Sequence, residues 1–146
     1  MLLESPPSSS AEGSPRNRPA SAHRVETRGH IIEIDAKGIL RSWCKPGTQI
    51  DLDEAKEVVR QMAGLCAGHR RTMLVDMSNL RSITRDARQY FAGAETAELV
   101  TAGAMLVTSP LARVVGNFFI GFNKTASPIR LFTSEHEALE WLAGFG

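Results

Sequence analysis

The residues best placed to do chemistry crowd into "VDMSNLRSITRDAR", residues 75–88, where hydroxyls and arginines gather between an apolar run and a helical pattern. Ser78, Ser82 and Thr84 could accept a phosphoryl group, or could bond free backbone N–H groups as turn and cap residues do. Arg81, Arg85 and Arg88 could hold an anion, because a helix amino terminus favours negative charge and Arg85 and Arg88, three apart, share a helix face. Arg81, Ser82, Thr84, Arg85 and Arg88 are therefore candidates for a partner or anion site, and Ser78, Ser82 and Thr84 for phosphorylation. Against these stand a capped turn and a solvated face on which Asp86 offsets the charge. The residue types favour the capped turn.

A second stretch, "PLARVVGNFFIGF" at residues 110–122, could bind apolar matter. On a helix, Leu111, Val114, Val115, Phe118 and Phe122 form one stripe, with Ala112, Phe119 and Ile120 away from it; Arg113 and Asn117 alone break the apolar character. A helix apolar nearly all round must bury its outer side as well. At about 1.5 Å per residue it spans about 20 Å, too short to cross a bilayer. The coverings open to it are a second subunit, a partner protein or a lipophilic small molecule, beside the alternative that it buries itself within the monomer. Homodimerisation is the first choice among the coverings, with Val115, Phe118, Phe119 and Phe122 as candidate interface or pocket residues. Gly116 and Gly121 weaken the helix and mark it as the expected mobile element.

Bond-making chemistry has no local signature. Asp76 closes an apolar strand with no His, Cys or Lys beside it in sequence, as loop-binding aspartates do. His23, His30, His69 and His136 are spread over tail, strand edge, loop and helix surface without metal-ligand spacing. "AGLCAG" ends a helix and "GNFFIG" lies inside one, so neither cradles phosphate after a strand, and no nucleophile elbow or paired carboxylates occur. The expectation is a non-enzymatic protein without metal or cofactor; an active site would have to join residues far apart in sequence.

The elements that position these stretches follow from pattern. With 146 residues, 42% hydrophobic and 23% charged, the chain suits one domain, and a net charge of +1 supplies no field for nucleic acid. Two cysteines make no disulfide framework, and Cys66 sits on an apolar helical stripe, as expected of a reduced, cytoplasmic protein. Glu4 and the lack of a long apolar run argue against a signal peptide or membrane span. Residues 1–22, rich in Ser and Pro, read as a disordered tail, and the folded domain as 25–146.

"HIIEIDAKGILRSW" gives a hairpin turning near Lys37-Gly38. Asp51 with Glu54 three residues later caps a helix carrying Ala55, Val58, Val59, Met62, Leu65 and Cys66 inward and ending at Gly68. "RTMLVDM" is a buried strand, a helix from about Thr84 weakens at Gly93, and "AGAMLVTS", residues 110–122, "SPIRLF" and a Ser134-capped helix follow. The order β-β-α-β-α-β-α-β-α predicts an α/β sandwich, mainly parallel, with an antiparallel amino-terminal hairpin. Met77 to Thr84 and Thr108 to Pro110 then share the rim beyond the strands' carboxyl ends.

That order, with "LVDMSNLRSITRDAR" and the closing "NFFIGFNKTASPIRLFTSEHEALEWL", resembles the bacterial STAS and SpoIIAA-like group over roughly residues 25–146. The group is related in fold to anti-sigma-factor antagonists and, more distantly, to CRAL-TRIO lipid-binding domains; many members have no assigned role. The resemblance implies a regulatory protein-interaction module, or a carrier of a lipophilic ligand beneath the 110–122 helix. Antagonists carry an aspartate and then a phosphorylated serine after the third strand. Aligned on Asp76, those positions hold Thr84 and Arg85, so the usual phosphoacceptor is absent.

Overall fold

The computed structural model describes residues 23–122 and 127–145, so the tail expected over residues 1–22 lies outside the described residues. Strands β1 (Arg24–Glu26), β2 (His30–Ile34), β3 (Leu40–Cys44), β5 (Arg71–Asp76), β7 (Val100–Leu106) and β8 (Ile129–Phe132) form one six-stranded sheet in the order β1-β2-β3-β5-β7-β8. The first three strands are antiparallel and the rest parallel. Two short strands, β4 (Gln49–Ile50) and β6 (Ser82–Ile83), make a separate parallel ladder. The expected sandwich is therefore present, with additions. The most consequential is β1, which moves β2 inward from the edge.

Each element has a local cause. The β2–β3 turn is tied by the Asp35 carboxylate, which accepts from the amides of Lys37 and Ile39. Helix α1 (Leu52–Cys66) starts where Asp51 accepts from the Glu54 amide and stops at Ala67, which is left-handed with φ 51. Thr84 caps α2 (Arg85–Phe91) by accepting from the Ala87 amide. The helix expected to weaken at Gly93 is broken there, and α3 (Ala94–Ala97) follows with no side-chain cap. Ser109 caps α4 (Pro110–Phe122), and Ser134 caps α5 (Glu135–Ala143).

The crossovers place α1, α2, α3 and α4 on one sheet face, against Ile32, Leu40, Met73, Val100 and Met105. Helix α5 covers the opposite face over Leu74, Ala102, Ala104, Leu106 and Phe132. Among the described residues, no helix is long and apolar enough to cross a membrane.

The inward side of α4 differs from the expected stripe. Ala112, Val115, Gly116 and Phe119 are buried, whereas Leu111, Val114 and Ile120 are exposed, Val114 by 67%. Close approach decides this: a Cβ on Gly116 would lie 2.9 Å from Leu131 Cδ2 and 3.1 Å from Val107 Cγ1. The smallest residues seat the helix on the sheet, while larger apolar ones are left outside.

Candidate functional site

A partly enclosed cavity of about 140 Å³ lies between the sheet and helices α1 to α4. Its walls are almost wholly apolar, with Met73, Val75 and Met105 rising from the sheet and Phe91, Val115 and Phe119 among the side chains above. Two features leave it open. Gly103 presents no side chain on the cavity side of β7, where a Cβ would meet nothing nearer than Ile129 Cγ1 at 3.8 Å. Overhead, the chain is divided at Gly93 into two short helices that cannot fill the span as one longer helix would.

One wall carries a polar relay that reaches back into the core. His30 and Cys44 face each other across β2 and β3, and both line the cavity. Glu54, from the first turn of α1, lies behind His30. Its Oε2 accepts from His30 Nδ1 at 2.7 Å, Thr27 Oγ1 at 2.5 Å and the Gly29 amide at 3.0 Å. Cys44 Sγ lies 3.6 Å from His30 Nε2. All three side chains are buried, with Glu54 3%, His30 5% and Cys44 8% exposed. Gly29 makes the approach possible, since a Cβ there would lie 2.3 Å from Thr48 Cγ2 and 3.2 Å from Glu54 Oε2.

The order carboxylate, imidazole, thiol matches that of an orienting acid, a base and a nucleophile. Electrostatics assign it another character. Burial pushes the Glu54 carboxyl up, but hydrogen bonds from His30, Thr27 and Gly29 outweigh it and hold the group below the ordinary glutamate range. Glu54 therefore stays a carboxylate. Burial, with the negative charges of Asp76 and Glu54, pushes the Cys44 thiol up to about 12. A thiol so poised remains protonated at neutral pH and acts as a weak hydrogen-bond donor, not as a ready nucleophile.

The rim residues fall at the carboxyl ends of the parallel strands. Asp76 accepts from the amide and hydroxyl of Ser78, and Ser78 Oγ lies 3.1 Å from Thr108 Oγ1, so the two rim segments meet. Ser82 is in β6 and Thr84 caps α2; both are exposed, as is Ser78. Arg81 and Arg85 are exposed. Arg88 turns away to donate to the Ile83 carbonyl and to lie 5.1 Å over the Phe118 ring. Val115 and Phe119 reach the cavity, whereas half-buried Phe118 does not line it and meets Phe119 edge-on at 5.4 Å. The Phe122 side chain lies outside the described residues.

Sequence reasoning missed His30, Cys44 and Glu54 as a group. His30 is no strand-edge residue, because β1 pairs outside β2. Glu54 looked like half of a capping box, yet its carboxylate points into the core. Only a contact between segments 24 and 14 residues apart joins them, and no local spacing signals that. Among the described residues, no group of three or more His, Cys, Asp or Glu side chains is arranged to hold a metal ion.

No functionally curated protein matches the chain. A crystal structure of an uncharacterized protein from the DUF3478 family, with a SpoIIAA-like fold, from Shewanella loihica PV-4 is similar in fold. Its TM-score is 0.61 at 16% identity, covering 86% of this chain and 99% of that one. A protein of unknown function from Arthrobacter sp. FB24 is 32% identical over 77% of this chain and 97% of its own, with a TM-score of 0.31. Residues 32–146 match the family model described as Domain of unknown function (DUF7793). The chain thus has a SpoIIAA-like fold and belongs to the DUF7793 family.

Proposed function

We propose that this STAS-like module is a non-enzymatic, cytoplasmic binding protein whose ligand is a small apolar molecule held between the sheet and helices α1 to α4. The cavity carries this reading. At about 140 Å³ it compares with an engineered protein cavity of about 150 Å³ that stays dry and takes up benzene. The packed alternative, a helix seated on the sheet with nothing between, would leave no such space under Val115 and Phe119.

Titration of the folded chain with benzene and toluene, followed by amide chemical shifts, tests it. Shifts should concentrate at Met73, Gly103, Met105 and Phe119, and Gly103→Val should abolish them while the circular dichroism spectrum is retained. A folded wild type that binds neither compound up to its solubility removes the reading.

A regulatory protein-interaction role is the second reading, favoured by the outer face of α4. Leu111, Val114 and Ile120 are exposed there, and Arg113 is the helix's one charged side chain. Two copies apposed on this face would meet no run of like charge, so a second copy of the chain is the partner it fits. The antagonist-type phosphoacceptor position holds Arg85, so regulation would act through contact rather than through that phosphorylation. Sedimentation should show a dimer that Val114→Asp dissociates. A monomer at tens of micromolar would remove the dimer.

A further inference from the structure

The cavity's one polar wall narrows the chemical class of what it takes, on the condition that the cavity is a ligand site at all. A carboxylate only accepts hydrogen bonds, so Glu54 Oε2 at 2.7 Å requires the hydrogen to sit on His30 Nδ1. In the neutral ring, Nε2 is then an acceptor. Its contact among the described residues is the Cys44 thiol at 3.6 Å, a weak donor. The best-organised acceptor on the wall is thus poorly satisfied.

We infer that the ligand is a neutral, benzene-sized aromatic bearing one hydroxyl, a phenol, whose O–H donates to His30 Nε2 in place of the Cys44 thiol. Three observations select this class. A hydroxyl is a stronger donor than a thiol, whereas an ether or ketone offers no donor. A second anion would have to sit beside Glu54 and Asp76 in a cavity whose walls carry no lysine or arginine among the described residues. The ring is favoured by its neighbours, Met73, Met77 and Met105 with Phe91 and Phe119, because thioethers and ring edges pack well against aromatic faces.

The test compares phenol, anisole and toluene on the full chain, with imidazole nitrogens observed by ¹⁵N NMR. Phenol should bind at least tenfold more tightly than anisole or toluene and should shift the His30 Nε2 resonance, which toluene leaves in place. Cys44→Ala removes the competing thiol and leaves His30 intact, so the preference for phenol should persist or grow. His30→Phe should reduce it to about one while toluene still binds. Equal affinities for all three compounds in the wild type, or an unmoved Nε2 resonance with phenol bound, overturn the inference and leave the cavity reading standing. Binding of none of them overturns both.

Discussion

The two faces of one sheet are built from the same strands but packed to different standards. On the α5 side, Ala102 and Ala104 lie flat enough for Ala138 and Leu142 to close down on them, and Phe132, Trp141 and Phe145 stack at the margin. Arg41 fastens the first turn of α5 by an ion pair to Glu135 at 3.1 Å. Across the same strands, Met73, Val75 and Met105 stand under helices that arrive from several directions and leave a space. One continuous helix with small residues beneath it makes a dry core, while a broken helix over a glycine makes a cavity. The difference lies less in hydrophobicity than in which positions are small.

The largest effect that sharpens this contrast is expected on the tight side. Leu142→Ala should cost about 3 kcal/mol in urea unfolding, because its site has no slack with which to collapse. Loss of less than about 1 kcal/mol would mean that the α5 face is as loosely packed as the other.

Next comes the polar relay. Glu54→Gln should cost about 2 kcal/mol at neutral pH, since three donors then face a neutral amide. The pH dependence has a definite sign. The folded state holds the Glu54 carboxyl below its ordinary value of 4.5, so its contribution is fully present above that value and is lost as pH falls through the folded one. Wild type should lose stability below about pH 4.5 more steeply than Glu54→Gln. Parallel curves would show that the carboxylate is not what holds the Thr27–His30 segment.

A neighbouring pair on β7 isolates the two faces most directly. Ala104→Val adds bulk beneath α5 and should destabilise by about 1–3 kcal/mol. Gly103→Ala adds a methyl group on the cavity side, where ordinary contact distance is available, and should stabilise by about 0.5 kcal/mol. Changes of the same sign would erase the distinction. Smallest in energy is a reactivity difference. With a value of about 12, Cys44 has about one thiolate in ten thousand at pH 8, so it should resist a charged disulfide reagent until the chain is unfolded.

Much of the frame was legible because its signals are local. The Asp51 cap, the inward row from Ala55 to Cys66, the break at Gly93 and the Ser134 cap are all read within a few residues. The inward side of α4 was not, because hydropathy ranks Leu111 and Val114 above Ala112 and Gly116, whereas packing against Val107 and Leu131 selects the small pair. The relay was hidden for a different reason. Three residues of β1 decide whether His30 is at an edge or inside, and too short a strand carries no period of its own.

Helix α3 has a thermodynamic consequence. Four residues with no side-chain cap make too few internal hydrogen bonds to persist alone, so the segment relies on its seat against β7 and on Arg70, which donates to the Ala97 carbonyl. Thr96 and Ala97 also border the cavity. A guest in that space would therefore complete the footing of the shortest helix among the described residues, and filling the space and freezing its ceiling would become one equilibrium, read through amide exchange at residues 94–97.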